Sequence, residues 1–319
     1  MPRDAAAVEL AAVDKSFDNV RAVRALDLRI PHGSTYGLLG PNGAGKTTTI
    51  RMILRIIDVD AGTIHLFGEP LSQAALQRVG YLPEERGLYK NMKLKRLLEF
   101  FAELKGVPPR ASRPRIMQWL ERFELADRAE SKVKELSKGN QQKVQFISAI
   151  LHEPDIMIFD EPFGGLDPIN QQILKDIIVE LKRAGKTIIF STHIIEHAER
   201  ICDHVCIIAR GVKVVDGSLS EVKTAHGGDY VAITFDRWSA DVVEEVKRSA
   251  LIQRVRENGT TLEVGMKPNA DPQQLLQQLV KTGVRLKRFE CTEPSLEQVF
   301  LERVGASDDI IREVKEAHG

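Results

Sequence analysis

The run "STYGLLGPNGAGKTTTIRMIL" constrains this chain more than any other part of it. Gly40, Gly45, Lys46 and Thr47 stand at the G-x-x-x-x-G-K-[ST] spacing, behind an apolar strand-like stretch and ahead of a helical pattern. Such a loop works only when a strand and a helix hold its two ends, so the fold has to place a buried strand beside a helix N-terminus. Its glycines let backbone N–H groups turn inward around a phosphate, and the helix adds the positive end of its dipole. Gly40, Pro41, Asn42, Gly43, Ala44 and Gly45 are therefore read as the wall of a phosphate site, closed by Lys46, Thr47 and Thr48. Lys46 is expected to reach the β- and γ-phosphates of ATP and the Thr47 hydroxyl to hold Mg²⁺.

The surrounding pattern extends that strand and helix into a domain. "DIMIFDE", "KTIIFSTH" and "HVCIIARG" are short, apolar and β-branched, and the first two run into a turn and a helical stretch. This is the signature of buried, mostly parallel strands in an α/β fold. Residues 91–131 are charged and helical with no strand signal, and the insert is placed at about 91–146. The pattern changes near "KTAHGGDY", which reads as a linker. Beyond it the order is strand, helix, a hairpin turning at Asn258-Gly259, helix, strand, helix. A β-α-β-β-α-β order predicts a small ferredoxin-like domain. The expected organisation is thus a nucleotide-binding domain over 1–222, an α+β domain over 229–304 and a polar tail over 305–319.

Two adjacent acids, Asp160 and Glu161, end the strand "IMIFDEP". Alternation along a strand aims them differently and allows separate roles. Asp160 suits a Mg²⁺ site, either on the ion or behind one of its ligands, and Glu161 suits a general base on the attacking water. His193, at the end of "IIFSTH", lies where a parallel strand meets a ligand crevice, in reach of the γ-phosphate or the water. His197, four residues on, is expected on the surface of a helix. Cys202 and Cys206 flank His204, but no second ligand pair lies nearby, so they are read as core thiols. A second anion-binding turn opens "LSKGNQQKV": Ser137 is an N-cap candidate and Gly139 permits close backbone approach. Nothing in it can hold a whole triphosphate.

The order of these motifs, namely the phosphate loop, "GYLPEERGLY", a helical insert, "LSKGNQQ", "IMIFDEPFGGLDP" and "FSTH", resembles the ATP-binding subunit of an ABC transporter. The resemblance spans residues 8–220. The wording "YLPEERGLY" and the ending "EPSLEQVFLERVG" look like the sodium-efflux and drug-efflux exporter subfamily. The resemblance implies an ATPase with a P-loop NTPase fold that pairs head to tail with a second subunit, as a homodimer or with a homologue. Each Ser137–Gly139 turn would then close over ATP bound to the partner's phosphate loop. It also implies that Phe17 stacks on adenine, that Glu84 lies where a Mg²⁺-contacting glutamine is common, and that Asp167 reaches across the dimer. Lys138 and Asn140 depart from the commonest wording, and Lys138 is expected to point into water.

The remaining expectations concern location and partners. There are 45 basic and 45 acidic residues, which does not favour nucleic-acid binding. No signal peptide and no run of about eighteen apolar residues occurs. The chain is accordingly expected in the cytoplasm, peripheral on the inner face of the cell membrane, with separate multispanning permease subunits. A soluble ATPase of the same class acting on ribosomes or DNA is the competing expectation. It is disfavoured because the chain has one motif set, no coiled-coil insertion and no basic arm. A ligand-sensing role for the C-terminal domain is a further possibility.

Overall fold

The computed structural model describes residues 6–85, 87–225, 230–267 and 270–304. The expected polar tail over 305–319 lies outside them, as do residues 226–229 of the expected linker. The chain divides into two units, with the boundary between Ser218 and Leu219.

The first unit is built on a six-stranded sheet. Its strands are β3 (Thr35–Leu39), β6 (Val79–Leu82), β7 (Ile156–Asp160), β8 (Thr187–Thr192), β9 (His204–Ala209) and β10 (Val212–Ser218). The spatial order is β10-β9-β3-β8-β7-β6, parallel throughout except for β10. β3, β7 and β8 are buried at every residue, which is why they read as unbroken apolar runs. Parallel pairing brings the carboxyl ends of β3, β7 and β8 to one edge, where the loops carrying Lys46, Glu161 and His193 begin.

A second sheet of this unit is antiparallel, in the order β2-β1-β4-β5. It comprises β1 (Ala6–Phe17), β2 (Val20–Pro31), β4 (Ala61–Leu66) and β5 (Glu69–Pro70). Sequence patterning did not anticipate it. Register shifts interrupt β1 between Leu10 and Val13 and again around Lys15, and Ala12 and Ala25 take positive φ. Each such irregularity resets the two-residue period on which strand recognition depends. Val8, Leu10, Leu26, Leu28 and Ile30 of this sheet share one core with Ile50 and Ile53 of α1 (Lys46–Ile53) and with Ile156, Ile158 and Ile189. Each fully buried aliphatic chain there is worth ~1.5–3 kcal/mol.

After α2 (Gln73–Gln77) and β6 comes the helical insert: α3 (Leu94–Leu104), α4 (Pro109–Arg122) and α5 (Lys138–Ile150). The buried carboxylate of Glu99 on α3 pairs with Arg96 at 3.3 Å and with Arg113 of α4 at 2.9 Å. Phe146 of α5 sits between Phe123 and Phe159, with ring centroids 5.9 and 5.0 Å away, and so fastens the insert to β7. α6 (Pro168–Arg183) and α7 (Ile195–Ile201) complete the unit.

The second unit begins with α8 (Leu219–Ala225), so Lys223, Thr224 and Ala225 of the expected linker are helical instead. Val222 gives this helix a buried residue, and it packs on α11 (Leu296–Val304). Between these helices lie β11 (Tyr230–Phe235), α9 (Ala240–Lys247), β12 (Ile252–Asn258), β13 (Thr261–Met266), α10 (Pro272–Lys281) and β14 (Leu286–Thr292). The antiparallel order β12-β13-β11-β14 is that of a β-α-β-β-α-β unit. Val231, Ile233, Leu262 and Val264 form its own core with Val243 and Val246 of α9 and Leu275 and Leu279 of α10.

Candidate active site

The turn from β3 into α1 is held by backbone packing. Gly45 caps α1 at φ 108°, and a Cβ there would sit 2.5 Å from the Ala22 carbonyl oxygen of β2. Gly211, at φ 77°, meets the same oxygen from the β9–β10 turn, where a Cβ would come within 2.7 Å. The Gly211 N–H donates to the Ala44 carbonyl at 2.9 Å, and the Arg24 N–H donates to the Gly211 carbonyl at 2.8 Å. Only glycine fits either position, because it tolerates the left-handed backbone and brings no carbon against the oxygen.

Lys46 is buried, and its ammonium donates to the carbonyls of Gly40 at 2.7 Å and Pro41 at 3.1 Å. Burial lowers its pKa, while the carboxylates of Glu161, Asp160 and Glu84 act in the opposite sense. The next residue, Thr47, donates its hydroxyl to Asp160 Oδ1 at 3.2 Å. Ser191 of β8 donates to that same oxygen, since β7 and β8 pair Asp160 with Ser191 in register. Asp160 is 1% exposed, and burial raises its pKa against the pull of these two hydroxyls. Its Oδ2 is buried with no hydrogen-bond partner. A carboxylate oxygen left bare beside a threonine hydroxyl suits a hard divalent cation, which takes oxygen donors.

Glu161 follows with φ 48°, a left-handed backbone that non-glycine residues adopt at a cost. This turn separates it from Asp160. Its N–H donates to Ser191 Oγ at 3.1 Å, and its Oε1 accepts from the His193 N–H at 3.1 Å. His193 Nδ1 lies 2.8 Å from the same oxygen. That hydrogen bond raises the His193 pKa against the opposing effect of burial. Thr47, Asp160, Ser191, Glu161 and His193 thus form one connected set beside Lys46.

The remaining expected residues make no hydrogen bond to that set among the described residues, although the Glu84 carboxylate acts electrostatically on Lys46 and His193. Glu84 is exposed on the turn after β6, and Gln145 of α5 donates to the Pro83 and Glu85 carbonyls on either side of it. Phe17, at the end of β1, is 46% exposed, with the Lys15 ammonium 5.5 Å from its ring centroid. Ser137 caps α5 by accepting from the Asn140 N–H at 3.2 Å. Among the described residues no hydrogen bond joins Ser137 or Gly139 to the phosphate loop. A Cβ on Gly139 would meet only the Gly165 carbonyl at 3.7 Å and Leu166 at 3.8 Å, so its own chain does not require a glycine there. Lys138 is exposed. Asp167 caps α6, accepting from the Asn170 N–H at 3.0 Å, and this bond holds its carboxyl below the usual range.

The sequence of residues 23–164 matches the family described as "ABC transporter", and residues 217–304 match "ATP-binding protein DrrA1-3-like, C-terminal domain". An uncharacterised ABC transporter ATP-binding protein of Bacillus subtilis, YhaQ, is 43% identical over 92% of this chain and 97% of its own length. The chain belongs to the ABC transporter ATP-binding proteins. This ABC ATPase is also 35% identical to Nod factor export ATP-binding protein I of Rhizobium sp. strain N33, over 94% of this chain and 97% of the relative. A solved ATP-binding subunit of an ABC transporter matches with a TM-score of 0.65 and 31% identity, covering 68% of this chain and 92% of that one.

Two residues of this region of the ABC ATPase carry no spacing that marks them in the sequence, and one lies elsewhere than its pattern predicts. Ser191 was overlooked beside His193, although a serine at the end of a fully apolar strand was a usable signal. Gln145 was overlooked too, although it interrupts the apolar row Val144, Phe146, Ile147. His197 is not on the surface: it is 6% exposed and meets the Phe163 ring edge-on at a centroid distance of 4.5 Å. Phe163 comes from the loop after Glu161, so the burial of His197 depends on a contact distant in sequence.

Proposed function

We propose that this ABC ATPase powers export through separate membrane subunits, and that its catalytic unit is a pair of chains. The connected set around Lys46 carries the chemical part of this reading. The Gly40–Gly45 loop and Lys46 would bind the phosphates of ATP, with Thr48 beside them on the first turn of α1. Phe17 would stack on adenine. Thr47 and Asp160 would hold Mg²⁺, joined by Glu84, and the bound ion would neutralise charge on the phosphate oxygens. Glu161, held at one oxygen by His193, keeps its other oxygen for the proton of the attacking water. His193 would fix that carboxylate and face the γ-phosphate. The Ser191 and Thr47 hydroxyls donate to Asp160 and favour its charged form against the opposing effect of burial, and a bound cation would favour it further.

Ser137, Gly139 and Asp167 support the pairing. Among the described residues no hydrogen bond joins them to the phosphate loop of their own chain, and no contact within that chain demands a glycine at 139. A second ATP-bearing chain of the same kind would give that glycine a purpose, with the α5 N-terminus directed at its nucleotide. Export is supported by the Nod factor export relatives. The exported substrate, whether ion, drug or lipid-like, would be selected by the permease. Among the described residues no helix is long and apolar enough to cross a membrane. The reading therefore places the chain at the inner face of the membrane through its partners. The exposed Tyr89, in edge contact with Phe100 at 5.6 Å, offers an aromatic patch beside the Glu84 turn for that docking.

The deciding experiment is Glu161→Gln. Turnover should fall by about 10²–10⁴-fold, the range for loss of a general base. ATP affinity should persist, and ATP-bound dimers should accumulate in light scattering. Turnover at the wild-type rate would remove Glu161 from the role of base.

A further inference from the structure

Helix α5 buries two side-chain amides, one of them between apolar residues. Gln145 is 4% exposed between Val144 and Phe146, and Gln142, one turn earlier, is 3% exposed. The Gln145 Nε2 donates to the Pro83 carbonyl at 3.1 Å and to the Glu85 carbonyl at 3.0 Å, the two peptides that bracket Glu84. Its Oε1 is buried with no partner. A buried polar group without a partner is costly, so this side chain is kept for its donors. Gln142 Nε2 lies 3.4 Å from the Pro162 carbonyl, one residue past Glu161. One helix, capped by Ser137, therefore holds the backbone next to two acids of the site.

We propose that Gln145 is a positioning residue: it makes the Glu84 turn move with α5, so that engagement of the Ser137 end sets where Glu84 stands. Gln142 adds a longer contact to the Glu161 turn. The geometry favours this over simple packing. A packing role would be met by leucine or methionine of similar volume, which would leave no orphaned oxygen and would match the apolar row. Two donors converging on consecutive-but-one carbonyls fix the turn on both sides of the acid, leaving the Glu84 side chain free to project into solvent. The inference rests on the proposed metal role of Glu84.

Two measurements test it on the full chain, with Gln145→Met and Gln145→Leu as alternatives that both lack the donors. The first is hydrogen exchange in the Glu161→Gln background with and without Mg-ATP. ATP should slow exchange in peptides covering 37–50 and 79–85 of the parent protein. In the Gln145 variants the first protection should remain and the second should be lost. Equal protection of both segments in both variants would overturn the proposal. The second is a double-mutant cycle with Glu84→Ala. Each single change should raise the Mg²⁺ concentration for half-maximal turnover about 10-fold, in the range seen when a residue behind a metal ligand is removed. The double variant should be no worse than Glu84→Ala alone, and multiplied effects would overturn the proposal. If Glu84→Ala leaves the Mg²⁺ requirement unchanged while the exchange result holds, the metal role of Glu84 has failed and the hold of Gln145 on the turn has not.

Discussion

At His193 a single hydrogen bond sets both geometry and charge. The Glu161 carboxylate, 2.8 Å from Nδ1, raises the imidazole pKa above its ordinary value of 6.5. A raised histidine pKa means that the folded state binds the proton more tightly than the unfolded chain. Its stabilisation is complete below the unfolded pKa and is lost as pH rises through the folded one. His193→Gln should therefore cost most at about pH 6 and progressively less at higher pH. The cost should be on the order of 1 kcal/mol or below, because the ring is part-exposed and screened. Urea titrations of both proteins across that range check it, and a gap that widens with pH would contradict the assignment. The positions of Lys46, Thr47, Asp160 and Glu161 were legible in the sequence because each follows from a local spacing beside a strand end. Ser191 and Gln145 were not legible, because their contacts depend on which strand or loop lies alongside.

Helix α7 shows the same limit at the level of an element. Its seven residues give too short a pattern to reveal a buried face, and that face is defined by Phe163 arriving from another loop. Burial lowers the His197 pKa to about 4, and the same cause takes His152, in the turn after α5, to about 4. The sign is opposite to that at His193. Below pH 6.5 the unfolded chain takes up protons that these folded rings refuse, so stability falls as pH drops from there towards 4. Each ring contributes up to ~1.4 kcal/mol per pH unit to that slope. His197→Gln should flatten the unfolding free energy against pH between 6 and 4.5, as measured by chemical denaturation, and an unchanged slope would place His197 elsewhere. β3, β7, β8 and β9 were readable as apolar runs because both faces are covered, whereas the four-residue β6 was too short to stand out. The antiparallel sheet was not, because β1 and β2 break their own alternation at Ala12 and Ala25.

For the molecule as a whole, the lack of any hydrogen bond between Ser137 and its own phosphate loop among the described residues makes assembly the central question. Ser137→Arg should leave ATP affinity of the single chain unchanged while lowering turnover at least tenfold. Nucleotide-binding titrations and phosphate release measured on one preparation separate the two. Full turnover would mean that the α5 N-terminus plays no part in hydrolysis. The feature with the widest reach is the Ala22 carbonyl, enclosed by Gly45 and Gly211. It seats the phosphate loop chiefly through main-chain atoms of β2, with the buried Val23 side chain alongside Gly45. The outward-facing residues of β1 and β2 are then free to diverge among descendants of this chain without loosening the nucleotide seat. Selection on that seat should concentrate at the two glycines, so inherited variation ought to be broad along the strands and almost nil at positions 45 and 211.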